Sequence, residues 1–221
     1  MYCPCLVLQP TPPPSDLPST SPTCSGSKFN VCFALDLSGS VCEADFDDDG
    51  CKDYEKMKKF SMKMVEELDK IDAVEKRYSI VQFADDARVV SGLSAALGTI
   101  TDLEGLDYTG GSTNTAAAFN ECQSTFDSSA IRRKNFIIMI TDGVPTVPGN
   151  NPSDDAEDAA TRVKTTGTTI IPIFIQKVKN NDDDALDLMD RFSSEGKYFD
   201  ISDFDSLDLL QERLVDEVSC E

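Results

Sequence analysis

Val31-Cys32-Phe33-Ala34-Leu35-Asp36-Leu37-Ser38-Gly39-Ser40 sets the reading of the whole chain. Val31 to Leu35 is apolar at every position, the pattern of a strand buried on both faces in the middle of a parallel sheet. Polarity then switches: Asp36, Ser38 and Ser40 recur at every second position, which turns a carboxylate and two hydroxyls to the same side of an extended turn. Phe136 to Ile140 repeats the arrangement, a second doubly buried run followed by Thr141-Asp142-Gly143. A third stretch, Gly110-Gly111-Ser112-Thr113-Asn114-Thr115, is a glycine-rich loop that again offers only oxygen. Open α/β sheets gather their ligands at the carboxyl ends of strands, so the three stretches are expected to meet there as one divalent-cation site.

The rest of the chain supports that sheet by alternating strand and helix patterns. A helix is expected near Tyr54 to Leu68, then strands at Tyr78 to Phe83 and Ala87 to Val90 joined as a hairpin at Ala84-Asp85-Asp86. Helices at about Leu93 to Leu103 and Thr115 to Phe126 flank the glycine loop. After Phe136 to Ile140 come a helix near Asp155 to Lys164, a strand at Thr169 to Ile175, a helix near Asp183 to Phe192, a strand at Tyr198 to Ile201 and a last helix from Phe204 to Val218. This order predicts a doubly wound α/β fold with a mostly parallel central sheet and one antiparallel edge strand.

The chemistry of the three stretches selects the ion. Mg2+ prefers about six oxygens and keeps some of its waters, so a few hydroxyls and carboxylates with an open position suit it, as they suit Mn2+ or Ca2+. Imidazole and thiolate are absent from these positions, which disfavours zinc, copper and iron. The plainer alternative is that Ser38, Ser40 and Thr113 only cap helix N-termini, a common role for these residues.

With these residues in place, the chain resembles the von Willebrand factor type A domain, whose metal-ion-dependent adhesion site uses a D-x-S-x-S segment, a distant Thr and a distant Asp. The resemblance spans about Lys28 to Cys220 and carries that site onto Asp36, Ser38, Ser40, Thr113 and Asp142. It implies that the two serines, and often the threonine, bind the ion directly or nearly so, that the aspartates act largely through waters, and that an acidic residue of a protein partner completes the coordination. The implied function is a metal-dependent adhesion or matrix-binding module, not an enzyme. Two other readings are weighed against it. A haloacid-dehalogenase-type phosphotransferase also places Asp and Mg2+ at the end of a central strand, but it needs a second acid two residues after the first, where this chain has Ser38. An intracellular type A module of a larger assembly would keep its cysteines reduced.

Composition narrows the function further. The chain has 221 residues, no His and no Trp, so nucleophilic triads and His-ligated metals are ruled out together. Against 20 basic residues stand 40 acidic ones, a formal charge of -20 that argues against nucleic acid and anionic membrane surfaces as partners. The apolar runs are strand-sized, so direct membrane insertion is not expected. Residues 1 to 27 hold Pro4, Pro10, Pro12, Pro13, Pro14, Pro18 and Pro22 among Ser and Thr and read as a stalk or linker, with the domain at 28 to 221. Leu6-Val7-Leu8 is too short for a signal peptide's apolar core, so the expected extracellular or cell-surface placement rests on cysteine usage and the stalk.

Eight cysteines allow four bridges. Cys24 and Cys220 flank the domain and are candidates for a clasp, since chain ends often lie close together. Cys32 lies roughly 13 Å down its strand from Asp36, and Cys122 roughly 10 Å down the helix from Thr115. Their depths match, so they are either a bridge or two buried thiols. Cys42 and Cys51 bracket an acidic insertion and suggest a local bridge, while Cys3 and Cys5 pair with each other or with another chain. Inside the insertion, Asp45, Asp47, Asp49 and Gly50 match the start of a calcium loop, but its twelfth position is Lys56 rather than Glu. The alternatives there are a second calcium site and a solvated acidic rim.

Overall fold

The computed structural model describes residues 28–42, 46–47, 50–71, 75–147, 149–176 and 183–219. The proposed stalk, the Cys24 to Cys220 clasp, Cys3, Cys5, Asp45 and Asp49 lie outside these residues. In chain order the elements are β1 (Phe29–Asp36), β2 (Phe46–Asp47), β3 (Gly50–Cys51), α1 (Lys52–Asp69), β4 (Lys76–Phe83), β5 (Ala87–Ser94), α2 (Ala96–Glu104) and α3 (Thr115–Asp127). They continue with β6 (Lys134–Thr141), α4 (Pro152–Thr165), β7 (Thr168–Ile175), α5 (Asp183–Phe192), β8 (Phe199–Ile201) and α6 (Gln211–Ser219).

One six-stranded sheet runs β5-β4-β1-β6-β7-β8, parallel throughout except for the β4–β5 hairpin. The chain builds outward from β1 to β4 and β5, then returns to the other side of β1 with β6. The gap where the order reverses therefore opens between the carboxyl ends of β1 and β6, where such sheets place their ligands. Register fixes the meeting point, since Leu35 pairs with Ile140 and puts Asp36 beside Thr141.

Each central strand is buried on both faces, as the unbroken apolar runs predict. Val31, Phe33 and Leu35 join Tyr54, Met57 and Phe60 of α1 and Leu214 of α6 on one side, while Cys32 and Ala34 join Phe119 of α3, Ala159 of α4 and Met189 of α5 on the other. Burying a Phe or Leu side chain stabilises by about 1.5–3 kcal/mol, so this double layer is where the apolar stabilisation of the sheet is concentrated.

A disulfide joins Cys32 of β1 to Cys122 of α3 across 5.7 Å between Cα atoms. A second joins Cys42 to Cys51, 5.5 Å apart, closing the acidic insertion. The Cys51 sulfur also accepts the Tyr54 amide at 3.3 Å, so the bridge caps α1.

Two expected elements are redrawn. The helix expected from Leu93 begins at Ala96, because β5 runs on to Ser94, which pairs with Tyr78. The last helix is two pieces: residues Phe204–Leu210 form a 3-10 segment before α6. Phe204, Leu207 and Leu210 recur every third position, the period of a 3-10 helix, and all three are buried.

Candidate metal centre

Asp36 is the last residue of β1 and fully buried. Its Oδ1 accepts the Ser38 amide at 2.7 Å and its Oδ2 accepts the Thr141 hydroxyl at 2.5 Å. These bonds curl the D-x-S-x-S segment back over the strand end. The segment continues as a short 3-10 turn from Gly39 to Cys42, in which Ser38 Oγ lies 3.0 Å from Ser40 Oγ. Ser40 Oγ in turn donates to Asp142 Oδ1 at 2.7 Å, which ties the segment to the loop after β6.

The glycine-rich loop closes the third side. Gly39 donates to the Gly111 carbonyl at 2.8 Å, and Thr113 exchanges hydrogen bonds with Thr146, its amide reaching Thr146 Oγ1 at 2.9 Å and its carbonyl accepting the Thr146 amide at 2.9 Å. Thr113 is 3% exposed. Gly143 shows how tightly the loops meet: a Cβ there would sit 3.6 Å from Ser40 Oγ and 3.9 Å from Thr113 Oγ1. The three predicted stretches thus converge on one point. The capping alternative fails for Thr113, since Asn114 caps α3 by accepting the Ala117 amide at 3.0 Å.

The electrostatics are unbalanced. Burial pushes the Asp36 carboxyl up to about 7, the Thr141 hydrogen bond opposes that, and the nearby Asp142 charge raises it again. Two carboxyl groups close enough to feel each other's charge thus stand among hydroxyls, a donor set rich in oxygen and in negative charge. Among the described residues no cluster of three or more His, Cys, Asp or Glu side chains occurs, so a cation here depends on the hydroxyls as well as the two acids. An oxygen-only donor set of this kind fits a small divalent ion.

Several residues that shape the site carry no periodic or motif signal. Tyr108 donates from its hydroxyl to the Ser38 carbonyl at 2.9 Å. The loop that carries it is fixed from below, where buried Lys58 donates to the Leu106 carbonyl at 2.9 Å and Gln82 to the Asp107 carbonyl at 3.2 Å. Asp85, at the hairpin turn, accepts the Ser112 amide at 2.8 Å and is held below the usual carboxylate range by the Ser112 side chain and amide. Thr141 stands next to Asp142 in the sequence, but only the β1–β6 register reveals it as the donor to Asp36.

The family model of the von Willebrand factor type A domain matches residues 30–213. The chain belongs to the von Willebrand factor type A family. Among its relatives is the mouse collagen alpha-4(VI) chain, 27% identical over 219 residues that cover 93% of this chain and 8% of that one. The type A fold seen here overlays on proximal thread matrix protein 1 of the mussel byssus with a TM-score of 0.70 at 18% identity, covering 88% of this chain and 47% of that one. A second structure of the byssus protein has a zinc-occupied metal-ion-dependent adhesion site and overlays with a TM-score of 0.69 at 19% identity, covering 86% and 45% of the two chains. The pilus adhesin SpaC of Lactobacillus rhamnosus GG gives 0.71 at 12% identity, covering 87% and 30%. The chain therefore spans less than half the length of these relatives. Collagen, byssus and pilus proteins are matrix or surface proteins, and they are what this type A domain is similar to.

Proposed function

We propose that this type A domain is a divalent-cation-dependent protein-binding module of the extracellular matrix or cell surface. The observation that carries the reading is the hydrogen-bonded chain from Ser38 through Ser40 to Asp142, closed around Asp36, Thr113 and Gly143. Ser38, Ser40 and Thr113 are the direct or nearly direct ligands, while Asp36 and Asp142 hold the ion's waters. A bound Mg2+, Mn2+ or Ca2+ supplies an electrophilic position for a partner's carboxylate. The zinc-occupied site of the byssus protein supports a divalent ion, and the oxygen-only set here favours the harder ions.

Neutral hydroxyls are what make the partner's acid worthwhile. They leave the cation's charge incompletely neutralised, so a further carboxylate gains more than it would at a site already saturated with acids. The Asp36 carboxylate orients the segment through the Ser38 amide, and Tyr108 fixes the Ser38 carbonyl from the other side. The bridges at Cys32–Cys122 and Cys42–Cys51 favour an oxidising compartment over an intracellular assembly. In the phosphotransferase reading Asp36 would be a nucleophile, yet both its oxygens accept hydrogen bonds and Ser38 stands where the second acid is needed. The test is capture of ligands from extracellular-matrix extract with and without chelator. Retention that requires metal and is lost in Asp142→Ala supports the module; identical capture under all conditions refutes it.

A further inference from the structure

The opposite end of the sheet, where β1 and β6 begin, holds a cleft of about 340 Å³ that the metal reading leaves unused. Two of its lining side chains are buried with a polar atom left over. Asn30 is 1% exposed; its Nδ2 donates to Asn135 Oδ1 at 2.9 Å, yet its own Oδ1 accepts from no donor. The Arg133 side chain is 4% exposed; its terminal nitrogens donate to Ser129 Oγ at 3.3 Å and Glu75 Oε1 at 2.5 Å, while Nε–H meets no acceptor. Buried polar atoms are nearly always satisfied, and leaving one unmade costs about 1–3 kcal/mol. An unused donor and an unused acceptor in one cleft call for a ligand that accepts from the first and donates to the second.

Charge decides the class of ligand. Glu75 beside the cleft is already met by Lys28 at 2.9 Å, Arg133 at 2.5 Å and Arg77 at 3.6 Å. Asp127 accepts from Gln123 at 2.8 Å. Arg132, exposed at the rim, makes no salt bridge among the described residues. On a chain of formal charge -20, this end is a local surplus of cations. Guanidinium groups bind planar carboxylates well, because donor geometry and charge both match.

We propose that this cleft binds a peptide carboxylate. The carboxylate accepts from Arg133 Nε–H and from Arg132, and the neighbouring amide N–H donates to Asn30 Oδ1. The ligand is an acidic or carboxyl-terminal stretch of polypeptide, supplied either by another protein or by a second copy of this acidic chain.

N-acetylglycine carries the carboxylate and the amide N–H together; N-acetylglycinamide lacks the charge and acetate lacks the N–H. Titration of the isotope-labelled full chain, followed by NMR, is expected to shift the Arg133 Nε–H and the Asn30 side-chain signals with N-acetylglycine. Binding should be about tenfold tighter than for either control: N-acetylglycinamide forgoes the charge-assisted bond to the guanidinium, and acetate forgoes the neutral bond to Asn30 Oδ1. Arg132→Gln, a surface change that preserves the fold, should weaken it by a similar factor, and Asn30→Asp should abolish it. Equal affinity for acetate and N-acetylglycine would mean an adventitious ion only and overturns the proposal. So does an Arg133 Nε–H signal that never moves, the cleft then holding water alone. Sedimentation distinguishes the two sources: self-association reversed by N-acetylglycine and by Arg132→Gln assigns the peptide to a second copy, whereas a monomer that still binds N-acetylglycine assigns it to another protein.

Discussion

The two ends of the central sheet are unbalanced in opposite senses. At the carboxyl ends of β1 and β6, Asp36 and Asp142 bring negative charge and oxygen donors together among hydroxyls. At the amino ends, Lys28, Arg77 and Arg133 crowd Glu75, and a guanidinium N–H is left without an acceptor. The middle of β1 and β6 is apolar, so neither end relieves the other. An end that is internally complete serves stability; an end that is incomplete serves a ligand of the missing sign.

The buried bridge midway along β1, between the two ends, is the first thing to break. Replacing Cys32 and Cys122 with Ala opens a loop of 90 residues, which the chain-entropy account values at about 4–5 kcal/mol. Opening the 9-residue Cys42–Cys51 loop should cost only about 2–3 kcal/mol. Urea unfolding of the two double variants measures both, and equal losses would show that loop closure is not what the deep bridge contributes.

Once metal is chelated, Asp36 at the upper end should respond to pH in the opposite sense to Glu75 at the lower end, whose carboxyl is held below its usual range by Lys28 and Arg133. Folding raises the Asp36 carboxyl from its ordinary 3.8 to about 7, so the folded chain holds a proton that the unfolded chain releases. The Asp36 contribution to stability is therefore full below about pH 4 and is lost as pH rises towards 7, by up to about 4 kcal/mol. Asp36→Asn should flatten that profile; a profile that keeps its slope in the variant locates the charge elsewhere.

Much of this was legible in the sequence, for identifiable reasons. Apolar runs without alternation can only be buried on both faces, so β1, β6 and β7 announce a parallel sheet, and the hydroxyl-rich ends mark the candidate site, whose segments the fold brings together. The 3-10 form of Phe204–Leu210 was hidden because a three-residue apolar period also fits one face of a short α-helix. Tyr108, Thr141 and Asp85 were hidden because their roles depend on strand register and loop return, which no local pattern encodes. The cleft at Asn30 and Arg133 was invisible for the same reason, since it is assembled from residues about 100 positions apart.

Smaller effects sharpen the contrast. Tyr108→Phe removes one hydrogen bond to Ser38 and should weaken metal binding about fivefold, a net cost of about 1 kcal/mol. Titrating the variant with Mn2+ reads that directly; an unchanged affinity would make Tyr108 a packing residue only. Arg132→Gln should leave metal affinity untouched and stability within about 0.5 kcal/mol, because the ends are independent.

The central claim is that Asp36, Ser38, Ser40, Thr113 and Asp142 form one cation site, and calorimetric titration with Mg2+ and Mn2+ tests it most directly. The wild-type chain should bind one ion, while Asp36→Ala and Asp142→Ala should show no binding heat with circular dichroism unchanged, and Ser38→Ala should bind far more weakly. Unchanged metal affinity in all three variants would contradict the account.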